Sequence, residues 1–343
     1  MKKVLHVLSS NKFSGAENVA IFIIKNTAPV YKCMYCSVEG EIKKTLKESD
    51  INYKLIKEFN LKDLKKVINE FDPDIIHAHD VKATILCSIL KKHNKLISHI
   101  HVNNTNMSKL NLKSILLFIS SFRVNRFLWV SSSCYKGYIF KKYLNKKSYI
   151  LKNILSKKDI YNKCVLDKKK YDFDVVYIGR LSYQKNPERL MKICNDISKT
   201  KKNIKIGIVG DGEKLEFVKS YIQKYQLNNI SVCGYINNPL KILHDAKVLI
   251  MTSRFEGTPM VALESLALGT PIVSTPVDGI KDLIDNNING YLFKDDDSIV
   301  SAILKIINNQ DLYENMSKEC KKKFDKISDL NEYFKIIKEC YEN

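Results

Sequence analysis

Two carboxylates eight positions apart lie in a segment of this chain whose pattern favours ligand chemistry. Glu256 and Glu264 belong to the sequence RFEGTPMVALESLALGTP, residues 254–271. The apolar run just before this segment predicts a buried strand. Thr258 followed by Pro259 is typical of a helix N-cap and the first helical residue. Glu256 is therefore predicted in a strand-to-helix loop, and Glu264 in the second turn of the helix.

The helix that carries Glu264 is apolar on nearly every side, and Gly269 is expected to end it. Such a helix is buried, so an ionised carboxylate within it must be paired or must bind a ligand. Side chains lean toward a helix N-terminus, so Glu264 and Glu256 are expected to converge in front of the helix start. Free amides there favour phosphate, and the carboxylates accept hydrogen bonds from sugar hydroxyls. The alternative is a buried Glu264 paired with Arg or Lys for structure alone.

Two cations follow another predicted strand, in VVYIGRLSYQKNPERLM, residues 175–191. Asn186 and Pro187 are expected to cap and begin the next helix. Arg180 and Lys185 would then stand beside a helix N-terminus, an arrangement that suits a diphosphate. The alternative is a pair of solvated surface cations.

Histidines and one glycine mark further strand ends. His77 and His79 alternate along one predicted strand, and His99 and His101 along another, so each pair shares a face. Four histidines raise the possibility of zinc, but no Cys or carboxylate spacing supports a metal site. A single histidine at a strand end is favoured instead as a hydrogen-bonding residue. Gly15 opens the first helix, where a glycine lets the backbone approach a ligand.

Composition limits the compartment and the partners. The chain has 343 residues and nine cysteines, and no secretory signal is evident, which predicts reduced thiols in a cytoplasm. Cys33 and Cys36 form a lone C-x-x-C within an apparent strand, for which neither a metal nor a redox role is favoured. A formal net charge of +20 suits nucleic acid or an anionic membrane, or is solvated surface from a codon-biased genome.

Short apolar runs alternate with helix-like stretches throughout the chain. A lysine-rich polar break near residues 156–173 separates two sets of predicted strands. The runs are KVLHVLSS, YKCMYCSV, NYKLI, DIIHAH, KLISHIHV, RFLWVSSS and SYILKN in the first set, and DVVYIGR, IKIGIVG, ISVCGY, AKVLIMTS, TPIVST and GYLF in the second. The alternation predicts an α/β chain of two Rossmann-like domains, whose parallel sheets face a central cleft. The predicted parts are an N-terminal domain (1–160), a C-terminal domain (170–325) and a C-terminal helix (326–343) that packs toward the first domain.

These motifs together resemble the retaining glycosyltransferases of family four (GT4), which have the two-domain GT-B fold. EGTPMVALESLALGTPIV carries the family's E-x7-E pattern, and GRLSYQKNPERL matches its basic diphosphate loop. SGAE resembles the family's G-G-x-E loop, with Ser14 in place of the first glycine. HIHV resembles the strand end that supplies an active-site histidine. LKNIL resembles the I-P-N-G-V segment, with Asn153 kept and the glycine lost. The resemblance spans nearly the whole chain, and it implies that residues 1–160 form the acceptor-binding domain and residues 170–325 the nucleotide-sugar donor-binding domain.

The resemblance implies a role for each matching residue. Glu264 would hold the ribose hydroxyls of a nucleotide, and Glu256 the hydroxyls of the donor sugar. Arg180 and Lys185 would neutralise the departing diphosphate. His101 would contact the donor sugar near the reacting carbon. Backbone groups would complete the donor site, at Gly15, Gly257, Thr258, Pro259 and Met260.

The implied reaction needs neither a metal nor a cofactor, since the cations and the helix dipole would stabilise the leaving group. A hexose or N-acetylhexosamine would pass, with retention, from a nucleoside diphosphate sugar (UDP is favoured) to a lipid-linked or nascent polysaccharide acceptor in bacterial surface glycan synthesis. The alternatives are another GT-B enzyme, such as a nucleotide-sugar epimerase, or a basic nucleic-acid-binding protein. The E-x7-E setting argues against the former, and Glu264 within an apolar helix argues against the latter.

An apolar, basic segment predicts where the enzyme works. NMSKLNLKSILLFISSFRVNRF, residues 106–127, sets an apolar run between Lys109 and Lys113 on one side and Arg123 and Arg126 on the other. Such a segment can lie on an anionic bilayer without crossing it. A cytoplasmic protein attached to the inner face of the membrane is therefore predicted, with no nucleic-acid partner. The alternative is that the apolar run forms part of a core helix.

Overall fold

The chain divides into two units. The computed structural model describes residues 1–12, 15–101 and 105–343. Unit 1 contains Met1–Asn153 together with Glu332–Asn343, and unit 2 contains Ile154–Asn331. Unit 2 is therefore an insertion within the sequence of unit 1. The division falls ahead of the helix Lys157–Leu166, which a boundary at residue 160 would cut.

Unit 1 is built on a parallel sheet. Its strands β1 to β7 are Lys3–Val7, Lys32–Val38, Tyr53–Ile56, Ile75–Ala78, Lys95–Ile100, Arg126–Trp129 and Ser148–Ile150. Its helices α1 to α7 are Gly15–Thr27, Ile42–Glu48, Leu61–Phe71, Val81–Leu90, Leu112–Ser121, Ser132–Lys136 and Lys141–Leu144. The strand order is β3-β2-β1-β4-β5-β6-β7. Side-chain caps start four of the helices. Asn60, Asp80, Asn111 and Ser131 each accept from the amide three residues on, at 2.8, 2.7, 3.0 and 3.1 Å.

Unit 2 repeats this plan with a second parallel sheet. Its strands β8 to β13 are Val175–Ile178, Ile206–Val209, Ile230–Gly234, Val248–Met251, Ile272–Ser274 and Gly290–Leu292. Its helices α8 to α15 are Lys157–Leu166, Pro187–Thr200, Leu215–Lys224, Leu240–Asp245, Met260–Leu268, Asp278–Lys281, Asp296–Asn308 and Gln310–Ile327. The strand order is β10-β9-β8-β11-β12-β13. Two parallel-sheet α/β domains, the predicted fold class, are thereby confirmed.

The burial of the strands explains why they could be predicted from apolar runs in the sequence. Parallel sheets carry helices on both faces, so their strands are apolar throughout rather than alternating. In β9 and β11 every residue is buried, and the same holds for β4. The direction in which the chain adds strands reverses between β1 and β4 in unit 1, and between β8 and β11 in unit 2. Ligands of open parallel sheets bind at such switch points, outside the carboxyl ends of the strands.

The last helix, α16 (Leu330–Glu342), packs on unit 1. Tyr341 is fully buried, and its hydroxyl lies 2.7 Å from Nδ1 of His77 in β4. Tyr31 donates to the carboxylate of Glu342 at 2.7 Å, and the ring of Phe22 in α1 lies 5.6 Å from that of Phe334. These contacts make α16 an integral part of unit 1.

The C-x-x-C pair lies on β2 with both thiols buried. Successive side chains of a strand point to opposite faces, so Cys33 and Cys36, three positions apart, lie on different faces of the sheet. Burial raises the pKa of the Cys36 thiol to about 12. Within the described ranges, no helix combines the length and the apolar character that crossing a bilayer requires.

Candidate active site

The loop that follows β8 is shaped by glycines of a neighbouring turn. A side chain at Gly210, whose φ is +140°, would place its Cβ 2.0 Å from the carbonyl oxygen of Gly179. The amide of Gly179 donates to Val209 at 3.0 Å, and the amide of Leu181 donates to Asp211 at 2.9 Å. The turn after β9 therefore clamps the backbone on both sides of Arg180.

Arg180 itself points into solvent. Its side chain is exposed, and in residues 1–12, 15–101 and 105–343 no carboxylate or carbonyl contacts its guanidinium. Its carbonyl oxygen accepts a hydrogen bond from the buried hydroxyl of Tyr177 at 3.0 Å. A cation that the backbone fixes but no anion neutralises is suited to an anionic ligand.

Lys185 leads into α9. Pro187 is the first residue of this helix, as predicted, but Asn186 occupies the N-cap position with a left-handed backbone (φ 56°, ψ 59°) and makes no side-chain cap. The hydroxyl of Thr252, just after β11, donates to the carbonyl oxygens of Lys185 and Asn186 at 2.9 and 3.2 Å. The end of β11 thus holds the turn that carries Lys185.

Lys185 and Glu256 form a shielded ion pair. Nζ of Lys185 lies 2.6 Å from Oε1 of Glu256, and the two side chains are 19% and 5% exposed. The hydroxyl of Ser253 donates to the same oxygen at 2.6 Å, and the amide of Gln184 reaches Oε2 at 3.4 Å. The structure therefore brings two of the predicted site residues into direct contact.

The position of this pair in the sheet is that of a ligand site. Arg180 and Lys185 follow β8, and Glu256 follows β11. These strands are neighbours, and the chain order reverses between them. The predicted basic loop and the first glutamate of E-x7-E thus lie at the switch point of unit 2.

The helix after Glu256 begins one residue later than predicted. Pro259 is the N-cap rather than the first helical residue, with φ −71° and ψ 122°, and Thr258 is not the cap. The carbonyl of Pro259 accepts from Ala262 at 3.1 Å and from Leu263 at 3.4 Å, which makes it the first helical acceptor. Because proline has no N–H, Pro259 cannot supply one of the predicted amides. Gly257, Thr258 and Met260 retain theirs.

Gly269 ends α12 as predicted, with φ +85°. A glycine that the sequence did not single out fixes the other end of the segment. A Cβ at Gly279, at the start of α13, would lie 1.4 Å from the carbonyl oxygen of Gly257. The loop that carries Glu256 and Gly257 therefore packs directly on the backbone of α13.

Glu264 lies in the second turn of α12, as predicted, and is partly buried. In the part of the chain that is described, neither a hydrogen bond nor an ion pair reaches its carboxylate. Burial raises its pKa from 4.5 to about 7, and the charge of Lys163 opposes this shift. The alternative of a purely structural pairing with Arg or Lys is not what the described residues show. Glu264 is instead a desolvated carboxylate whose oxygens remain available to a hydroxyl-bearing ligand.

The predicted residues of unit 1 lie near its own switch point. Gly15 is the first residue of α1, whereas Ser14 of the SGAE motif lies outside the described residues. His101 directly follows β5, and its Nε2 lies 3.1 Å from Nδ1 of His79. Burial lowers the pKa of His101 to about 3, so its ring is neutral at physiological pH. Val102 of the HIHV motif also lies outside the described residues.

Several supporting residues were missed from the sequence. Gln184, Ser253 and Thr252 contact the site through side-chain hydrogen bonds, and none of them belongs to a spaced pattern. The only feature of the sequence that could have indicated these residues is that they lie next to Lys185 or directly after β11. Gly210 lies in the segment GDGE, and what its missing side chain accommodates is the backbone of Gly179, in a loop that precedes it in the chain.

Comparison with known proteins identifies the two halves of the chain separately. Residues 161–323 match the family model described as "Glycosyl transferases group 1", and residues 14–125 match "Glycosyl transferase 4-like". A poly(glycerol-phosphate) alpha-glucosyltransferase of Bacillus subtilis is 29% identical over 163 residues, which are 46% of this chain and 24% of that protein. The N-acetylgalactosaminyltransferase of Campylobacter jejuni that acts on a diNAcBac-PP-undecaprenol-linked glycan is 31% identical over 173 residues, 48% of each chain. The chain thus spans less than half the length of these two relatives.

A solved structure covers the whole chain. HepE of Anabaena, crystallised with UDP-glucose, superimposes with a TM-score of 0.83 over 99% of both chains, at 17% sequence identity. At this identity the likeness shows the fold alone. The predicted GT-B architecture is therefore confirmed.

Proposed function

Since the chain belongs to the GT4-type glycosyltransferases with the GT-B fold, we propose that it transfers a hexose or N-acetylhexosamine from a UDP-sugar, with retention. The acceptor is a lipid-linked or nascent glycan of the bacterial surface. The donor proposal is supported by the UDP-glucose complex of HepE. The acceptor proposal is supported by the undecaprenol-linked substrate of the Campylobacter jejuni relative and by the polymer substrate of the Bacillus subtilis one.

One observation carries this proposal: the Lys185–Glu256 pair at the switch point, beside a guanidinium that no described group neutralises. A diphosphate needs fixed positive charge, which Arg180 and Lys185 supply. A sugar needs acceptors for its hydroxyls, and Oε2 of Glu256 has only the long 3.4 Å contact from Gln184. A nucleoside diphosphate sugar carries both a diphosphate and sugar hydroxyls, so it matches both features of the site.

Glu264 supplies the nucleoside contact in this proposal. Its partly buried carboxylate lacks a hydrogen-bonding partner among the described residues, and ribose offers two adjacent hydroxyl donors. The first turn of α12 adds amides and the positive end of the helix dipole for the phosphates. Glu264 therefore serves binding, at a distance from the bond that breaks.

Transfer itself depends on charge that develops on the departing diphosphate. Arg180 and Lys185 stabilise this charge more strongly in the transition state than in the bound donor, which lowers the barrier. Glu256 is already engaged by Lys185 and Ser253, so it acts as a hydrogen-bond acceptor rather than as a nucleophile. Retention by front-face attack, and the contact of His101 with the donor sugar, complete the proposal; both come from the family resemblance.

Membrane attachment at the inner face belongs to the same proposal. Helix α5 and its C-cap residue Phe122 present an apolar row to solvent: Leu112, Ile119 and Phe122 are 72%, 56% and 75% exposed. Their spacing places them on one side of the helix. Lys109 and Lys113, just before and at the start of α5, are exposed as well. An exposed apolar helix face bordered by cations complements an anionic bilayer, where lipid-linked acceptors reside. The alternative, that this apolar run forms part of a core helix, also has support, since Leu117 of α5 is fully buried in the core of unit 1.

A panel of nucleotide sugars tests the core of the proposal. UDP-hexoses and UDP-N-acetylhexosamines should raise the thermal unfolding midpoint and be slowly hydrolysed, because a ligand at about a hundred times its Kd adds ~2.7 kcal/mol to stability. Glu264→Gln should weaken the stabilisation by every UDP-sugar. Transfer to an undecaprenyl diphosphate-linked glycan, with the anomeric configuration read by NMR, tests acceptor and retention. If no nucleotide sugar stabilises the chain or is hydrolysed, the proposal is wrong.

A further inference from the structure

Five of the chain's seven histidines cluster on one face of the unit 1 sheet. His79 follows β4, His99 lies in β5, and His101 follows β5. The register of these paired strands matches Ala78 with Ser98, so the next residues, His79 and His99, face each other. Their ring centroids are 5.5 Å apart, and the ring of His101 lies 4.1 Å from that of His99. Two alternate residues of one strand and their cross-strand neighbour thus place three imidazoles together.

The three rings have the spacing of a metal-binding group. One ring nitrogen from each of His79, His99 and His101 lies within 4.8 Å of the other two. Tetrahedral zinc, with Zn–N bonds of about 2.0–2.1 Å, places its ligand nitrogens about 3.3–3.4 Å apart. Nδ1 of His79 is already 3.1 Å from Nε2 of His101. No spacing along the chain predicted this group, because the pairing of β4 with β5 creates it.

The state of the ring nitrogens also suits a cation. Both ring nitrogens of His99 and Nδ1 of His101 are buried without a hydrogen-bond partner in the described part of the chain. A buried polar atom without a partner costs free energy, which a metal–nitrogen bond would recover. Burial lowers the pKa of His79, His99 and His101, so each ring is neutral at pH 7 and offers a lone pair.

His6 is placed to orient one of the three rings. A histidine that binds a metal through one nitrogen usually donates its other N–H to a neighbouring group, which fixes its tautomer. The Nδ1 atom of His79 is the one that faces His101. If this atom binds the ion, the N–H at Nε2 of His79 points to Nδ1 of His6, which lies 3.0 Å away.

We propose that His79, His99 and His101 bind one divalent transition-metal ion, such as Zn²⁺, which ties the carboxyl ends of β4 and β5 together. Three imidazoles and one water molecule are a ligand set that zinc accepts. Imidazole nitrogen also suits cobalt, nickel and copper, whereas magnesium and calcium prefer oxygen ligands. The role of the ion is structural, and the proposed transfer reaction does not need it.

A second group of histidines is a less suitable site. One ring nitrogen from each of His6, His77 and His79 also lies within 4.8 Å of the others. However, Nδ1 of His77 lies 2.7 Å from the hydroxyl of Tyr341, and His6 and His77 are both fully buried. His101 is partly exposed, so the first group has a side on which an ion can enter.

Metal binding to the wild-type full chain, stripped of metal with EDTA, is the first test. We expect isothermal titration calorimetry to show one Zn²⁺ per chain, with competition by Co²⁺ and none by Mg²⁺ or Ca²⁺. X-ray absorption of the zinc-loaded chain should show three imidazole nitrogens at about 2.0–2.1 Å. Neither measurement depends on whether a variant folds.

The ion should also stabilise unit 1, because it binds the folded chain and joins two of its strands. Zn²⁺ at about a hundred times its Kd should raise the midpoint of thermal unfolding by roughly 5 °C. The fluorescence of Trp129 reports this transition, since its strand β6 pairs with β5. Mg²⁺ at the same concentration should leave the midpoint unchanged.

A pair of variants separates the two groups of histidines. His99→Phe removes one proposed ligand but keeps a buried ring. It should weaken Zn²⁺ binding by more than about a hundredfold, because loss of an outer hydrogen-bonding partner alone costs about 10–100-fold. His77→Phe is the matched control, since His77 is equally buried on the same face and belongs only to the second group. It should keep the wild-type affinity, and circular dichroism checks that both variants are folded.

The two histidines outside the cluster provide a control for surface binding. His93→Gln combined with His244→Gln should leave the stoichiometric site intact; loss of Zn²⁺ binding in this variant would mean an adventitious surface ion only. Three further results would overturn the proposal: no Zn²⁺ binding to the metal-free wild-type chain, fewer than three imidazole ligands in the X-ray absorption, or an affinity that falls with His77→Phe but not with His99→Phe.

Discussion

The ammonium group of Lys185 lies 2.6 Å from the carboxylate of Glu256, and the two residues follow neighbouring strands of the unit 2 sheet. Both charges are shielded from solvent, and Ser253 donates to the same carboxylate oxygen. A shielded pair of this kind is most sensitive to the loss of one partner, because the remaining charge can be neither neutralised nor fully hydrated.

Lys185→Met should therefore destabilise unit 2 as well as slow transfer. We expect a loss of roughly 2–4 kcal/mol, because Glu256 keeps its charge without its counter-ion. Circular dichroism should show a lowered thermal transition, while the fluorescence of Trp129, the sole tryptophan, which lies in unit 1, should change little. Glu256→Gln is the control: it removes the charge, keeps the shape and should cost less stability, although transfer falls about ten- to a hundredfold. Equal stability of Lys185→Met and wild type would contradict this.

Arg180→Ala should separate catalysis from stability. The guanidinium is exposed and has no partner in the described part of the chain, so the free energy of unfolding should change by less than about 0.5 kcal/mol. Turnover should fall about ten- to a hundredfold, with donor affinity less affected, because leaving-group charge grows toward the transition state. Lys224→Ala, which removes another exposed cation from the end of α10, should retain full activity. If only the donor KM rose and kcat stayed the same, Arg180 would bind the donor and the transition state equally well. That result would contradict a role in transition-state stabilisation.

Nucleotide binding should release protons from Glu264. Its pKa of about 7 in the free chain means that it is largely protonated at pH 6, whereas ribose hydroxyls favour the carboxylate. UDP affinity should therefore rise about tenfold between pH 5.5 and pH 8, with proton release at pH 6.5 visible by calorimetry in buffers of different ionisation enthalpy. Glu264→Gln should bind UDP about ten- to a hundredfold more weakly and should show no proton release. A pH-independent affinity would refute the assignment of Glu264.

The raised pKa of Glu264 also predicts how the stability of the chain depends on pH. Folding raises the pKa of Glu264 above its value of 4.5, so the stability this group contributes is fully present below pH ~4.5 and is lost as the pH rises through 7. Glu264→Gln should thus raise the unfolding midpoint at pH 8 by about 2–5 °C, and should have little effect at pH 5. Calorimetric scans of both chains at the two pH values measure this difference. A stabilisation that is equal at both values would mean that the charge of Glu264 is not responsible.

Transfer should survive a chelator. The proposed stabilisation of the diphosphate uses Arg180, Lys185 and the start of α12, so EDTA should leave the rate of donor hydrolysis largely intact. The assay compares EDTA-treated enzyme with and without added Mg²⁺ or Mn²⁺. Complete loss of activity that a metal restores would replace this mechanism with a metal-assisted one.

Liposome binding should depend on the exposed face of α5. We expect sedimentation with vesicles that contain anionic lipid, weakening with salt, and little sedimentation with neutral ones. Phe122→Ser should weaken the attachment, and Lys109→Gln should weaken it by about fivefold, or ~1 kcal/mol. Leu166→Ser is the matched control, because Leu166 is also 75% exposed but lies on α8 of unit 2. Equal recovery in the supernatant with both vesicle types at low salt would rule the attachment out.

Most of the architecture could be predicted from the sequence, because parallel strands that are buried on both faces appear as continuous apolar runs. Each of the thirteen strands of the structure falls within a run predicted from the sequence. The start of α12 was misplaced by one residue, since a proline suits the N-cap and the first helical position almost equally, and the choice depends on which carbonyl begins the helix.

What the sequence could not provide were contacts that depend on strand order. His6 stands alone in its run, and only the pairing of β1 with β4 brings it to His79. Gly210 and Gly279 were not predicted to matter for the site, yet each leaves room for the backbone of a loop that follows a different strand. Such relationships are properties of the assembled sheet, and spacing along the chain does not encode them.

The interrupted sequence of unit 1 has a consequence for biosynthesis. The helix that supplies Tyr341 to His77 and Glu342 to Tyr31 is made only after every residue of unit 2. On the ribosome, unit 2 can therefore fold while the first unit still has an uncovered sheet face, the reverse of the usual N-terminal-first order. Until α16 is made, His77 lacks its contact with Tyr341, and Phe22 of α1 lacks its contacts with Tyr333 and Phe334. Other segments of the nascent chain, or a chaperone, must cover these groups in the meantime.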